Sequence, residues 1–250
     1  ATPVEIVLLA LSFSASGSKG MSAQQANSSM LGELSLLPTQ LVIPSDNVNI
    51  LKIQGTSSGR IFMCGKDGCL YELIYQSHDT WFSRKCRKLN HSASRLGMFV
   101  PGFLKFTSSD PVLDLVVDDQ RHIMYTLSDR SAVCVYDLGH DGKTLTRVHE
   151  SDDIARQASQ LCPRGHNWEP KSFRIVSLSV VERQGPVHLV AVTSAGVRLY
   201  ISTFTRLTNA QASNDTALKK LRPTGLVVCH VRLPPPESAV TLAPELRTEL

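Results

Sequence analysis

Charged residues make up 19% of this 250-residue chain and aromatic residues 6%, with only two tryptophans. The formal net charge of +4 rests partly on one cluster, "RKCRK" at Arg84–Lys88, and a balance this modest does not mark a nucleic-acid binder. Single-strand binding would need aromatics interleaved on a basic face, and beside that cluster there is only Trp81–Phe82. No run approaches the roughly 18 apolar residues of a membrane-spanning helix. The six cysteines form no C-x-x-C pair and no paired zinc spacing. Most lie in apolar runs such as "AVCVY" and "LVVCHV", which reads as buried free thiols in a reducing compartment, with disulfides as the alternative. No H-E-x-x-H, G-x-S-x-G elbow or glycine-rich phosphate loop is present. The expectation is therefore no catalytic residues, no metal, no cofactor and no small-molecule substrate. "GHDGK" (139–143) reads as a turn, because no helix pattern follows it.

What the sequence does contain is a repeat. "RIFMCGKDGCLYELIY" (60–75), "HIMYTLSDRSAVCVYDL" (122–138) and "HLVAVTSAGVRLYISTF" (188–204) each place two short apolar runs around a Gly/Asp/Ser turn, the composition of a β-hairpin. An aliphatic-Tyr pair recurs in the second run, and Tyr71, Tyr136 and Tyr200 are spaced 65 and 64 residues apart. A strand-like run precedes each hairpin ("VNILKIQ", "PVLDLVVDD", "FRIVSLSVVE") and a weaker one follows ("RKLNHS", "TLTRVHES", "GLVVCHVRL"). Four antiparallel strands per unit is the content of a β-propeller blade. The long period implies insertions, visible at 151–170 and 205–225. "TPVEIVLLALSF" (2–13) reads as a strand of a preceding, incomplete blade. The expectation is an all-β chain, a partial β-propeller of about three complete four-stranded blades plus part of another, with a β-sandwich as the competing architecture. The chain starts at Ala1 with no methionine and no secretory signal, and is read as a fragment. The three tyrosines are assigned to the blade core.

These hairpins, with "ATPVEIVLLALSF", "WFSRKCRKLNHS" and "CHVRLPPP", resemble the N-terminal propeller of the large inner-ring scaffold nucleoporin of the 155-kilodalton class. The similarity runs from Ala1 to about Pro236, and residues 237–250 diverge. The resemblance implies a fragment of a seven-bladed propeller in a non-enzymatic constituent of the nuclear pore complex inner ring at the nuclear envelope. It implies a role in pore assembly and nucleocytoplasmic transport, with other inner-ring nucleoporins, pore-membrane proteins and the curved envelope membrane as partners. An interaction propeller of a vesicle-coat-like scaffold is the alternative class.

The family also carries an amphipathic lipid-packing-sensor segment in a propeller loop, and its place corresponds to a flexible loop at 14–37. "LSFSASGSKGMSAQQANSSMLGELSLLP" (11–38) holds eight serines, three glycines and two charges, Lys19 and Glu33. At 100° per residue, positions 21–37 bring Ala23, Ala26, Met30, Leu34 and Leu37 within an arc of roughly 80°. Gln25, Ser28, Gly32 and Ser35 lie opposite, while Leu31 and Leu36 fall off the stripe. An uncharged polar face would leave binding to insertion of apolar side chains into packing defects, and the Ser/Gly content would keep the segment unstructured in water. The expected lipid contacts are Phe13, Met21, Met30, Leu31, Leu34 and Leu37. Arg84, Lys85, Arg87 and Lys88 are an electrostatic helper for lipid phosphates or an acidic partner, or a charged edge that discourages strand pairing. A flexible Ser/Gly loop without function remains the plain alternative.

Overall fold

A computed structural model describes residues 4–14, 33–37, 42–75, 86–92, 110–139, 141–162, 174–182, 185–207 and 221–234. At its N-terminus is an antiparallel ribbon in two pieces, in which β1 (Glu5–Val7) pairs with β4 (Val42–Pro44) and β2 (Ala10–Ser14) with β3 (Glu33–Leu37). The register slips by two residues between the pieces, so the single strand expected over 2–13 is broken at Leu8–Leu9.

Three four-stranded antiparallel sheets follow, each in simple chain order. The first holds β5 (Ile50–Gly55), β6 (Ile61–Gly65), β7 (Leu70–Tyr75) and β8 (Cys86–Asn90). The second holds β9 (Val112–Asp118), β10 (Ile123–Ser128), β11 (Val133–Asp137) and β12 (Thr146–Ser151), and the third β13 (Ile175–Val180), β14 (Leu189–Thr193), β15 (Arg198–Leu207) and β16 (Leu221–Arg232). Every strand-like run named in the sequence lies in its expected place, and the chain is all-β and a partial propeller. The insertion read at 205–225 is shorter, because Arg206 pairs with Arg222 and Leu207 with Leu221. The insertion at 151–170 contains a helix, α1 (Ile154–Leu161).

Successive blades pack face to face through apolar layers. Phe62, Cys64 and Leu70 of the first meet Leu115, Met124 and Leu138 of the second. Tyr125, Leu127, Val133 and Val135 of the second meet Leu178, Leu189, Ala191 and Leu199 of the third. α1 adds Ile154 and Ala158 to this second layer, and Gln157 Oε1 accepts the Val228 N–H at 2.9 Å. Blade 2's insertion thereby covers an outer edge of blade 3 that would otherwise present open backbone groups.

The repeat is most regular in its turns. Gly65, Ser128 and Thr193 each accept a hydrogen bond from the residue three later, Gly68, Ser131 and Gly196, at 2.9, 3.0 and 2.9 Å. The residue after each turn start, Lys66, Asp129 or Ser194, donates its N–H to the residue just before the blade's first strand, Asn49, Pro111 or Arg174, at 2.7, 2.9 and 2.8 Å. Gly68, Ser131 and Gly196 all have positive φ, at 78°, 65° and 76°. Aligned on these residues the tyrosines are not equivalent. Tyr71 is buried against the ribbon and Tyr136 is half-buried against blade 1. Tyr200 is half-buried on the opposite face of its blade and stacks obliquely on His230, with centroids 5.5 Å apart. Tyr200 thus lies on the face of its blade away from blade 2, because one residue's difference in strand position reverses the face.

Gly68 gives a test of this register. A Cβ there would collide with Pro111 Cβ and lie 2.8 Å from its Cα, whereas at Gly196 the nearest atom is Pro234 Cβ at 3.5 Å. The left-handed conformation costs an L-residue about 1–2 kcal/mol. Gly196→Ala should lose about that much, and Gly68→Ala about 3 kcal/mol once overpacking is included. Urea midpoints of the two variants measure the difference.

Candidate membrane and partner surface

The ribbon is anchored at its base. Ile6 and Ile43 pair across β1 and β4 and pack with Met63, Tyr71 and Leu73 of blade 1. Ser45, fully buried, donates its N–H to Val4 O at 3.0 Å. β4 leads into β5 as β8 leads into β9 and β12 into β13, so β1 and β4 take the places of third and fourth strands in a preceding blade. In an up-and-down blade all connections from third to fourth strand leave from one end. Ser14 of β2 and Glu33 of β3 therefore lie toward the end of the propeller where the β11–β12 connection starts. The turns at 65–69, 128–132 and 193–197 occupy the other end.

Of the expected lipid contacts, Phe13 lies in β2 and Leu34 and Leu37 in β3, with Phe13 paired to Leu34 and Ala10 to Leu37. The helical projection through residue 37 is corrected over Glu33–Leu37, which are strand. Pairing with β2 there satisfies the backbone groups that a helix would otherwise use. The loop read as 14–37 is bounded by Ser14 and Glu33, both in strands. Met21, Met30 and Leu31 lie outside the described residues.

The basic cluster divides. Arg84 and Lys85 lie outside the described residues, and Arg87 is exposed on β8. Lys88 turns inward, its side chain only 8% exposed. Its ammonium donates to Ser45 O at 2.7 Å, pairs with Asp46 at 2.8 Å and sits 4.7 Å from the centroid of Tyr71. The grouping of Lys88 with a solvent-facing patch thus differs from its observed place, because alternation along β8 sends every second side chain to the packed face. Tyr71 in turn hydrogen-bonds Asp67, and burial together with that bond pushes its phenol well above the usual range.

Two ionic groups that the sequence reading did not single out tie the blades together. Asp114, 7% exposed on β9, pairs with Lys52 of β5 at 2.5 Å and accepts the Leu178 N–H of β13 at 3.0 Å. One carboxylate therefore touches all three blades. A charge inside the apolar run "VLDLVV" was its visible signal. The second is Glu72, 4% exposed on β7. It accepts two bonds from Arg60, at 2.7 and 3.0 Å, and lies 2.7 Å from His91 Nε2. Burial pushes its carboxyl up, but the bonds from His91 and Arg60 and the guanidinium charge prevail and hold it at about 2. Arg60 reaches on to Gly142 O at 2.9 Å and Thr144 O at 2.5 Å, both in blade 2. Gly142 donates to Gly139 O at 3.1 Å, so "GHDGK" is a turn.

All six cysteines are free thiols. Only Cys64 is fully buried, where burial and the nearby Asp114 carboxylate push its pKa up to about 11. Cys229 is exposed, which corrects the reading of buried thiols: the β15–β16 register shifts at this position, between the Tyr200–His230 and Ile201–Val228 pairs. Among the described residues no group of three or more His, Cys, Asp or Glu could hold a metal ion.

Comparison with known proteins agrees with this architecture. Nuclear pore complex protein Nup154 of Drosophila melanogaster is 32% identical, with 94% of this chain and 18% of that protein covered. Nucleoporin NUP170 of Chaetomium thermophilum is 31% identical, with 95% and 16% covered. The crystal structure of the Chaetomium thermophilum Nup170 NTD–Nup53 complex superposes with a TM-score of 0.67 at 30% identity, covering 95% of this chain and 30% of that one. The chain spans less than a fifth of the length of these curated relatives. The match to the family described as "Nup133 N terminal like" runs over residues 1–249, and this chain belongs to that nucleoporin N-terminal family.

Proposed function

We propose that this chain is a non-enzymatic propeller segment of a nuclear pore scaffold protein, located in the inner ring at the nuclear envelope, where it helps hold the ring against the curved pore membrane. It serves pore assembly and nucleocytoplasmic transport through contacts with other nucleoporins and pore-membrane proteins. The names of its relatives support the nuclear pore setting, and the Nup53 complex of a similar domain supports a nucleoporin partner.

The observation that carries the membrane reading is the ribbon. It is fastened to blade 1 at Ile6, Ile43 and Ser45, and its far strands are joined by 15–32, a stretch with Lys19 as its one charge. With almost no charge to attract anionic lipid, binding depends on inserting Met21, Met30 and Leu31 into packing defects. The protein should float with small, highly curved neutral vesicles and far less with large flat ones. Substituting Met21, Met30 and Leu31 together by Asp should lower that partition at least tenfold, since each buried apolar side chain contributes about 1 kcal/mol or more. Equal flotation with both vesicle sizes, or no effect of the triple substitution, would refute the reading. Rim staining of the full-length protein at the nuclear envelope tests the location.

A further inference from the structure

One end of the seam between blades 2 and 3 is closed by a loop of polar contacts that begins and ends in blade 2. Arg121, in the β9–β10 turn, is held by Asp118 at 2.6 Å and reaches across to Val181 O, just beyond β13, at 3.3 Å. The Val181 N–H bonds His188 O at 2.9 Å, and the His188 N–H bonds Ile201 O of β15 at 2.9 Å. The β14–β15 ladder ends at the Leu189–Ile201 pair. Beyond it the His188 ring takes over the place of a strand carbonyl, and its Nδ1 accepts the Thr203 N–H at 3.0 Å. Thr203 is 3% exposed, and its Oγ1 lies 2.7 Å from the hydroxyl of Tyr125, a fully buried residue of β10 in blade 2.

The His188 link holds only while the ring is neutral, because Nδ1 accepts through a lone pair that protonation removes. Burial, and then the Arg121 charge, push the imidazole below its ordinary value, over the opposing pull of Asp118 and of the Gly185 and Thr203 backbone. Among the described residues Arg121 and Asp118 are the charged groups that face the ring. Asp118 is 2% exposed and is already engaged by the Arg121 guanidinium and N–H, so an imidazolium here would meet a cation and a carboxylate that is already paired.

We infer that His188 is a proton-sensitive latch on the blade 2–blade 3 seam: neutral, it holds Thr203 in place for Tyr125, and protonated, it releases the Thr203 N–H, adds a cation beside Arg121 and lets this end of the seam open. The folded protein favours the neutral ring, so the contribution is fully present above about pH 6.5, the ordinary imidazole value, and is lost as pH falls through the lower value of the folded state. Glu72, held at about 2, stays ionised in this window, so the two effects separate.

The test is amide hydrogen exchange, read by NMR on the nitrogen-15-labelled chain and corrected for the pH dependence of intrinsic exchange. Between about pH 7.5 and about pH 5.5, protection of the Thr203 amide should fall about tenfold or more, the effect of a buried donor losing its acceptor. The fall should share its midpoint with the His188 ring resonances, while amides of the β5–β6 ladder in blade 1 stay within about twofold. At neutral pH the ring nitrogen shifts should place the proton on Nε2. His188→Asn sets an amide oxygen near the position of Nδ1 and cannot titrate, so Thr203 should stay protected at both pH values. His188→Leu removes the acceptor, and Thr203 should exchange fast at both. A histidine with a structural role alone would lower the melting temperature when replaced and leave the profile of the unsubstituted protein flat. Thr203 protection unchanged down to pH 5.5 in the unsubstituted protein, a proton on Nδ1 at neutral pH, or an equal fall in His188→Asn overturns the inference.

Discussion

Replacing Asp114 with alanine should destabilise the protein by about 3–5 kcal/mol, the usual cost of removing one partner from a buried ion pair. Its carboxylate meets Lys52 of blade 1 at 2.5 Å and the Leu178 N–H of blade 3 at 3.0 Å, and Oδ1 also accepts the N–H of its neighbour Leu115 at 2.8 Å. Alanine leaves an ammonium on one side and a buried amide on the other without their acceptor, and an unsatisfied buried donor alone costs about 1–3 kcal/mol. Asp114→Asn keeps one carbonyl oxygen for Leu178 and loses only the charge, so it should cost about half as much. Urea unfolding followed by circular dichroism measures both. A drop in midpoint with unchanged slope is expected. A loss under about 1 kcal/mol for Asp114→Ala would show that the inner strands hold together by apolar contact alone.

The second large effect is a loss of stability in acid. Glu72 is held at about 2 in the folded protein, against 4.5 for the free side chain, so the native state binds the proton more weakly than the unfolded chain. The stability this contributes is fully present above about pH 4.5 and disappears as pH falls through 2. A depression of this size corresponds to about 3 kcal/mol. Thermal unfolding measured between pH 7 and pH 2 should show that decline, and Glu72→Gln should flatten it while lowering stability at pH 7. Because Arg60 also holds Gly142 O and Thr144 O, the variant should loosen the blade 1–blade 2 contact and raise hydrogen exchange in the β11–β12 connection. An acid limb of unchanged height in Glu72→Gln would assign the effect to another carboxylate.

How far the fold was legible depended on the range of the interaction involved. Hairpin turns such as Lys66–Asp67–Gly68 and Ser194–Ala195–Gly196 are local, and their positive-φ residues show in composition. α1 was not legible: its eight residues have no side-chain cap bond and no acidic first turn, and Ile154, Gln157 and Ala158 are committed by β16, some 70 residues away. Glu33–Leu37 suits a helical stripe by period alone, yet pairs with Ala10–Ser14 across the intervening segment. The candidate site divided the same way. A Ser/Gly segment with almost no charge is a property of composition, whereas the fate of Lys88 depends on which face of β8 meets Tyr71.

The sequence by itself determined the all-β class, the three hairpins with their flanking strands and the placement of a nearly uncharged insert before the first complete blade, because turn chemistry and two-residue periodicity act within a few residues. Only the tertiary structure decided which face each strand buries, that Asp114 joins three blades, and that Lys88 fastens the ribbon and does not face solvent. Those outcomes depend on pairing register and on contacts between residues tens of positions apart, and a shift of one residue reverses them.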